Sequence, residues 1–397
     1  MPFNYDELQQ ELAEREAESL LRVRTTVDSP QGPELSVEGC RYLNFCSNDY
    51  LGFANHASLK TAVQQTVDQS GVGGGASHMI CGHHQQHHLL EEEFAALTQR
   101  DSALLFSTGF MANVGIVTAL CGKHDAVFQD KWNHASLIDG ALMSGAKFKR
   151  YLHNDMKSLE RQLKASDARR KLICVDGVFS MDGDKANLLA MVRLARQYDA
   201  LLMVDDAHGF GCLGENGLGL CEELGLSQED VPILMCTLGK GLGSFGALVA
   251  GPKVLIDTLV QFARPYIYTT SMPPAIAAAT RASLALLNEE SWRRVQLNDN
   301  IKQFQQGVKH LGLDLMPSET AIQPIVIGDD ALAMQCQAFL KEQGIWLSAI
   351  RPPTVPKGTA RLRVTLTAMH NKAHIETLLS GLKSMQLQFP ALLSSAV

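Results

Sequence analysis

Lys240 lies in Thr237-Leu238-Gly239-Lys240-Gly241-Leu242-Gly243, directly after the short apolar run Ile233–Cys236. Glycines let a backbone come close to a ligand, so a lysine set between them at a strand end can present its amine there. A glycine loop carrying a solvated lysine is the plainer alternative. A P-loop is excluded, because the glycine spacing is wrong and no Gly-Lys-Ser/Thr occurs. A second group, Asp205-Asp206-Ala207-His208-Gly209, follows the apolar run Leu201–Val204. An acid there, with a histidine three residues on, can aim both side chains into the crevice where open α/β sheets bind ligands. Alone, it reads equally well as an acid capping the next turn. The third group is Ser107-Thr108-Gly109-Phe110-Met111-Ala112-Asn113, between a strand ending at Phe106 and a helix. Small residues opening a helix offer free N–H groups and the positive end of the dipole to an anion, although a simple N-cap looks the same.

Taken together, an anion seat, a strand-end acid and a glycine-set lysine are what pyridoxal phosphate needs. The helix start and Thr237 would hold the phosphate. Asp205 would keep the ring nitrogen protonated so that the ring accepts electrons. Lys240 would carry the cofactor covalently.

The elements that must position these groups follow from the pattern of the chain. The runs Ala103–Phe106, Ala126–Phe128, Leu172–Val175, Leu201–Val204, Ile233–Cys236 and Ala247–Ala250 are short, apolar and unalternating, as strands buried on both faces should be. Helical stretches such as 110–121 and 184–198 separate most of them. That alternation predicts an α/β fold with a mostly parallel central sheet and helices on both faces. Before it, residues 1–57 read as an N-terminal arm, with a helix over 5–24 and a short strand over 41–46. The body over 58–285 is the expected cofactor-binding domain. After it, 286–397 reads as a smaller α+β domain. There a helix (289–311), a strand (322–327), a helix (330–343) and a strand (345–349) lead to the strand Arg361–Leu366 and a last helix capped by Asn371.

Composition sets bounds. The chain has 397 residues, enough for two domains, and a formal net charge of -7. That charge argues against nucleic acid as a partner. The basic run Lys147, Lys149 and Arg150 reads as a solvated strand edge. Nine scattered cysteines without a CxxC pair indicate neither a disulfide framework nor a zinc site, and a reducing cytoplasm is the expected compartment. The acidic N-terminus lacks the order of a signal peptide, and no apolar run approaches the ~18 residues of a membrane span.

Several stretches together resemble the α-oxoamine synthases, a family of fold-type I pyridoxal-phosphate transferases with a small C-terminal domain. They are Leu43–Gly52, Asn133–Leu137, Gly177–Asp184, Val204–Gly209 and the Lys240 loop, together with Tyr268–Pro274, Ala349–Pro356 and Gly358–Arg363. The resemblance covers the whole chain. It implies Lys240 as the cofactor's lysine, Asp205 at the ring nitrogen, His208 at the ring oxygen and His134 stacked on the ring. Gly109, Phe110 and Thr237 would surround the phosphate, and Ser180 would touch the cofactor. Arg351 would grip the amino-acid carboxylate, while Arg22, Asn48, His134 and Thr354 would line the substrate side. The activity implied is decarboxylative condensation of L-alanine with a pimeloyl thioester, carried by coenzyme A or acyl-carrier protein. The rivals are glycine with acetyl-CoA or succinyl-CoA, and an ordinary aminotransferase. A homodimer is implied, with Thr269 and Thr270 reaching the partner's phosphate. Arg361 with Lys357 would form a basic rim facing a carrier protein.

Two departures stand out. Asp176 replaces an expected glutamate, and the loss of one methylene lengthens a contact at the cofactor edge. The stretch 78–88 is unusually rich in histidine. The pairs His83/His87 and His84/His88 have metal-binding spacing on a helix, but the expected reading is a helix start with unusual polar choices and no metal.

Overall fold

A computed structural model of the protein describes residues 4–18 and 20–393. The first helix spans Tyr5–Ala17, capped by Asn4, whose side chain accepts the Asp6 N–H at 3.1 Å. It buries no residue, and Leu8 and Leu12 stay 41% and 54% exposed. The helix expected through residue 24 therefore stops seven residues early, because no apolar surface receives its stripe. Strands β1 (Glu34–Val37) and β2 (Cys40–Asn44) form a hairpin, and β1 was not foreseen.

The body is a seven-stranded sheet. Its strands are β3 (Ser102–Phe106), β4 (Ala126–Asp130), β5 (Lys147–Tyr151), β6 (Lys171–Asp176), β7 (Leu201–Asp205), β8 (Ile233–Thr237) and β9 (Ala247–Gly251). Their order is β3-β9-β8-β7-β6-β4-β5, and only β9 runs antiparallel to its neighbours. Both faces are covered. Ile173, Val175, Leu202 and Val204 pack into one core, and Leu172, Cys174 and Met203 into the other. That is why these strands carry apolar residues at every position. The exception is β5, which pairs only with β4 and carries Lys147, Lys149 and Arg150 exposed along the sheet edge, as the charge pattern predicts.

The C-terminal region holds β10 (Ile322–Gly328), β11 (Ile345–Trp346), β12 (Ser348–Ile350) and β13 (Ala360–Thr365). The single strand expected at 345–349 divides between two sheets. β11 joins β2 in parallel, while β12 joins β13, which also pairs with β10. The arm is thus stitched to the C-terminal region, with Phe45 N–H on Trp346 O at 2.7 Å and Thr365 N–H on Phe45 O at 2.8 Å. A helix over Pro274–Glu289 runs through the expected boundary at 285, and the next helix begins at Trp292. Among the described residues no helix is long and apolar enough to cross a membrane.

Candidate active site

Four parallel strands deliver their C-terminal ends to one cavity of about 170 Å³. β4 leads to His134, β6 ends at Asp176, β7 ends at Asp205 and continues to His208, and β8 ends at Thr237 ahead of Lys240. The helix Gly109–Leu120 points its N-terminus there. Thr108 caps it by accepting the Met111 N–H, and the N–H groups of Gly109 and Phe110 are among those a helix start leaves unpaired. Gly109, Phe110, His134, Ser180, Asp205, His208, Thr237 and Lys240 all line this cavity, so every expected cofactor residue converges on it.

The lysine amine lies 2.8 Å from His208 Nε2. Burial is the main cause that lowers Lys240 to about 8, and Arg363 adds to it, against the pull of Asp205 and Asp176. Burial, then Lys240, holds His208 well below the ordinary histidine value. A neutral His208 accepts from Lys240 at Nε2, so its Nδ1–H donates to Tyr50 Oη at 2.5 Å. Tyr50 donates in turn to Asn48 Oδ1 at 3.2 Å, which also accepts from Arg363 Nη2 at 3.3 Å. Arg363 comes from β13 and also donates to Ser180 O at 2.7 Å. Residues 48, 50 and 363 thus reach the site from outside the main sheet.

Asp205 is held at both oxygens. Oδ1 accepts the Ala207 N–H at 3.0 Å, and Oδ2 accepts Asn113 Nδ2 at 2.7 Å. Asp176 Oδ2 accepts the His134 N–H at 3.0 Å, so the shorter acid still fixes the backbone of that histidine. Its other oxygen is buried with no partner in the chain, and burial followed by Asp205 raises its pKa well above the usual range.

These residues fit pyridoxal phosphate. A β-carbon on Gly109 would sit 2.5 Å from Thr237 Cγ2, so glycine is what keeps the anion seat open. The orphaned Asp176 oxygen, the doubly held Asp205 and the lysine with its lowered pKa supply the matching polar groups.

The remaining expected residues divide. A second cavity of about 590 Å³ shares His134 and Ser180 with the first and contains Thr354, Trp132, Phe179 and Val355. Asn48 lies beside His208 through Tyr50. Arg351 is half-buried and Arg22 exposed, and neither lines these two cavities. Thr270 is exposed and forms a bridge with Ser77, and Thr269 is half-buried. Arg361 is no rim cation: it is 3% exposed and ion-paired with Asp182, and its guanidinium donates to Thr359 O at 3.0 Å and Thr359 Oγ1 at 3.1 Å.

The histidine-rich stretch departs from its helical spacing, since the helix spans only Gln85–Leu97 and His84 caps it. His78, His83 and His87 approach one another, as do His83, His88 and Glu91, with ligand atoms within 4.8 Å. His87 has no free nitrogen: Nδ1 accepts the His84 N–H at 3.1 Å and Nε2 donates to Met272 O at 2.9 Å.

Known proteins resemble this chain over nearly its whole length. The family model described as aminotransferase class I and II matches residues 41–382. The 8-amino-7-oxononanoate synthase of Saccharophagus degradans is 56% identical over 391 residues, covering 98% of either chain. A solved 8-amino-7-oxononanoate synthase from Francisella tularensis is 32% identical, with a TM-score of 0.77 over 88% of this chain and 99% of that one. A high-resolution structure of SPT with PLP superposes with a TM-score of 0.91 at 28% identity, covering 97% of this chain and 98% of that one. The fold is that of the fold-type I pyridoxal-phosphate transferases. The chain belongs to the class I and II aminotransferase family and, within it, to the 8-amino-7-oxononanoate synthases.

Proposed function

We propose that this protein condenses L-alanine with a pimeloyl thioester, releasing carbon dioxide and the free thiol and forming 8-amino-7-oxononanoate for biotin biosynthesis. The observation that carries this reading is the convergence of Lys240, His208, His134 and Asp205 on one cavity, in a chain 56% identical to a synthase of that name. Bound there, pyridoxal phosphate supplies an electron sink for the carbanion formed at the α-carbon of alanine.

The chain's own residues do the rest. Gly109, Phe110 and Thr237 seat the phosphate. Asp205, fixed at both oxygens, holds a proton on the ring nitrogen. Lys240, with its pKa lowered to about 8, takes the α-proton as a free amine. His134 donates from Nε2 toward the thioester oxygen as charge develops there. The carboxylate of alanine pairs with Arg351 or with the buried Arg363, the cation already beside Asn48 and His208. The acyl chain lies in the second cavity, against Trp132, Phe179 and Thr354, and the carrier is coenzyme A or acyl-carrier protein. The active form is a homodimer, in which Thr269, Thr270 and Arg22 act at the site of the partner subunit.

The test is product identification with a panel of amino acids and thioesters. Alanine with pimeloyl-CoA should give 8-amino-7-oxononanoate and one equivalent of carbon dioxide. Faster turnover of glycine with acetyl-CoA would move the protein to that branch of the family.

A further inference from the structure

Between Asp205 and His134 lies a hydrogen-bond chain whose polarity is fixed by its middle member. Asn113 is 1% exposed, and its Nδ2 donates to Asp205 Oδ2 at 2.7 Å and to Ser136 Oγ at 2.8 Å. A carboxylate only accepts, so the amide nitrogen, not the oxygen, must face Asp205. Asn113 Oδ1 has no donor in the chain, so this side chain is held by what it donates. Ser136, fully buried, accepts from Asn113 and has one proton left to give. That proton goes to His134 Nδ1 at 2.7 Å, and the Ser136 N–H points at the same nitrogen at 3.3 Å. With two donors on Nδ1, the ring proton of His134 must sit on Nε2.

We propose that Asn113 is a positioning residue that separates two acceptors, keeping Asp205 for the cofactor's ring nitrogen and His134 neutral with its Nε2–H toward the substrate. The inference deepens the proposed function and rests on its assignment of Asp205. The reason is directional. A water in place of Asn113, accepting from Ser136 and donating to Asp205, would let the chain run the other way, from His134 Nδ1–H through the serine hydroxyl to the carboxylate, with the 3.3 Å contact from the Ser136 N–H given up. His134 would then become an imidazolium paired at a distance with Asp205, and Asp205 would lose part of its grip on the ring nitrogen. Asn113 blocks this by donating at both ends.

The other charged groups around His134 do not settle its state alone. Burial lowers it, Lys240 lowers it further, and Asp205 and Asp139 raise it. Asp176 accepts its backbone N–H, and His208 lies across the cavity. Removing Asn113 therefore releases the Asp205 contribution.

The test reads His134 by NMR in the holoenzyme with labelled histidine. The parent should show Nε2–H only, with a midpoint below that of an ordinary histidine. Asn113→Ala should raise the midpoint by at least about one pH unit, a tenfold change in proton affinity. Adding Ser136→Ala to that variant should cancel the rise, because the path to Asp205 is then broken. Turnover in Asn113→Ala should fall by about tenfold, through kcat rather than KM. Asn113→Ser has one proton to donate instead of two, and it should move the midpoint the same way if the alanine variant does not fold. An unchanged midpoint and tautomer in the folded variant overturns the proposal. The NMR readout needs no turnover. A parent protein that makes no product from alanine and pimeloyl-CoA would therefore overturn the reaction and leave this test standing.

Discussion

Two regions of this protein are built around histidine, and they do opposite things. Residues 78–88 contain five histidines within eleven positions. They cap a helix, meet one another edge-on or tilted and bond to backbone, as His87 does through both nitrogens. The cavity at the strand ends has two: His134 keeps Nε2 for the space where chemistry would occur, and His208 spends Nε2 on Lys240 and Nδ1 on Tyr50, with neither nitrogen on backbone. Density of a reactive residue type therefore says little. What matters is whether the local backbone has already used both nitrogens. His153 is a third case: both its nitrogens are used, but by acids, Asp130 at 3.0 Å and Asp184 at 2.9 Å.

The sharpest way to break this contrast is to remove the partner of His208. Lys240→Ala should lose at least about a thousandfold in turnover, because the covalent and proton-transfer roles go together. Borohydride should fix the cofactor to the Lys240 peptide in the parent, and label on another lysine would overturn the assignment. Asp205→Asn should keep cofactor binding, measured by absorbance, but lose about a hundredfold in turnover, since an amide cannot hold the ring nitrogen protonated. Exchange of the α-proton of alanine at the parent rate would remove that role.

His153 sharpens the comparison through pH. Burial alone would lower it, but the hydrogen bonds it donates to Asp130 and Asp184, with their charges, outweigh burial and raise it to about 9. A raised folded-state pKa stabilises fully below the unfolded value, near 6.5, and the gain is lost as pH rises through about 9. The difference in stability between the parent and His153→Gln should therefore be about 3 kcal/mol at pH 6 and shrink toward zero above pH 9, measured by urea denaturation. A difference independent of pH would show that the ion pairs are not its source.

The smallest effects should come from the crowded stretch. His87→Ala should cost about 2 kcal/mol, since it strands the Met272 carbonyl and the His84 N–H in a buried place. His88→Gln, on an exposed pair with Glu92, should cost within about 0.5 kcal/mol. Specific activity should follow neither.

The sequence made some of this site legible and left the rest dark for a physical reason. Lys240, Asp205 and His208 could be found because strand-end positions are local, readable from a few apolar residues and the turn that follows. Tyr50 and Arg363 could not, since Tyr50 meets His208 across 158 residues and Arg363 meets Asn48 across 315, and no short pattern records those meetings. Asn113 stood inside the Ser107–Asn113 motif but was legible only as part of a helix start. Its partners Ser136 and Asp205 come from two other strand ends. In the fold, the buried strands were readable from their unbroken apolar runs. The division of 345–350 between two sheets was not, because pairing partners carry no local signature. Arg22 shows the limit from the other side: the resemblance implies a place beside the substrate, and within one chain it is exposed.

The basic edge of the sheet has a consequence for the crowded cell. β5 ends the sheet with an outward row of backbone groups that no strand pairs, although Arg150 O accepts from Gln162 Nε2 at 2.9 Å, and such an edge is an invitation to a strand from another molecule. Lys147, Lys149 and Arg150 are spaced along it, so a second copy arriving edge-on would set like charges against each other. The charges that looked idle act as a guard on solubility. Exchanging all three for threonine should leave the fold intact while the protein begins to assemble into soluble oligomers and then precipitate as its concentration rises.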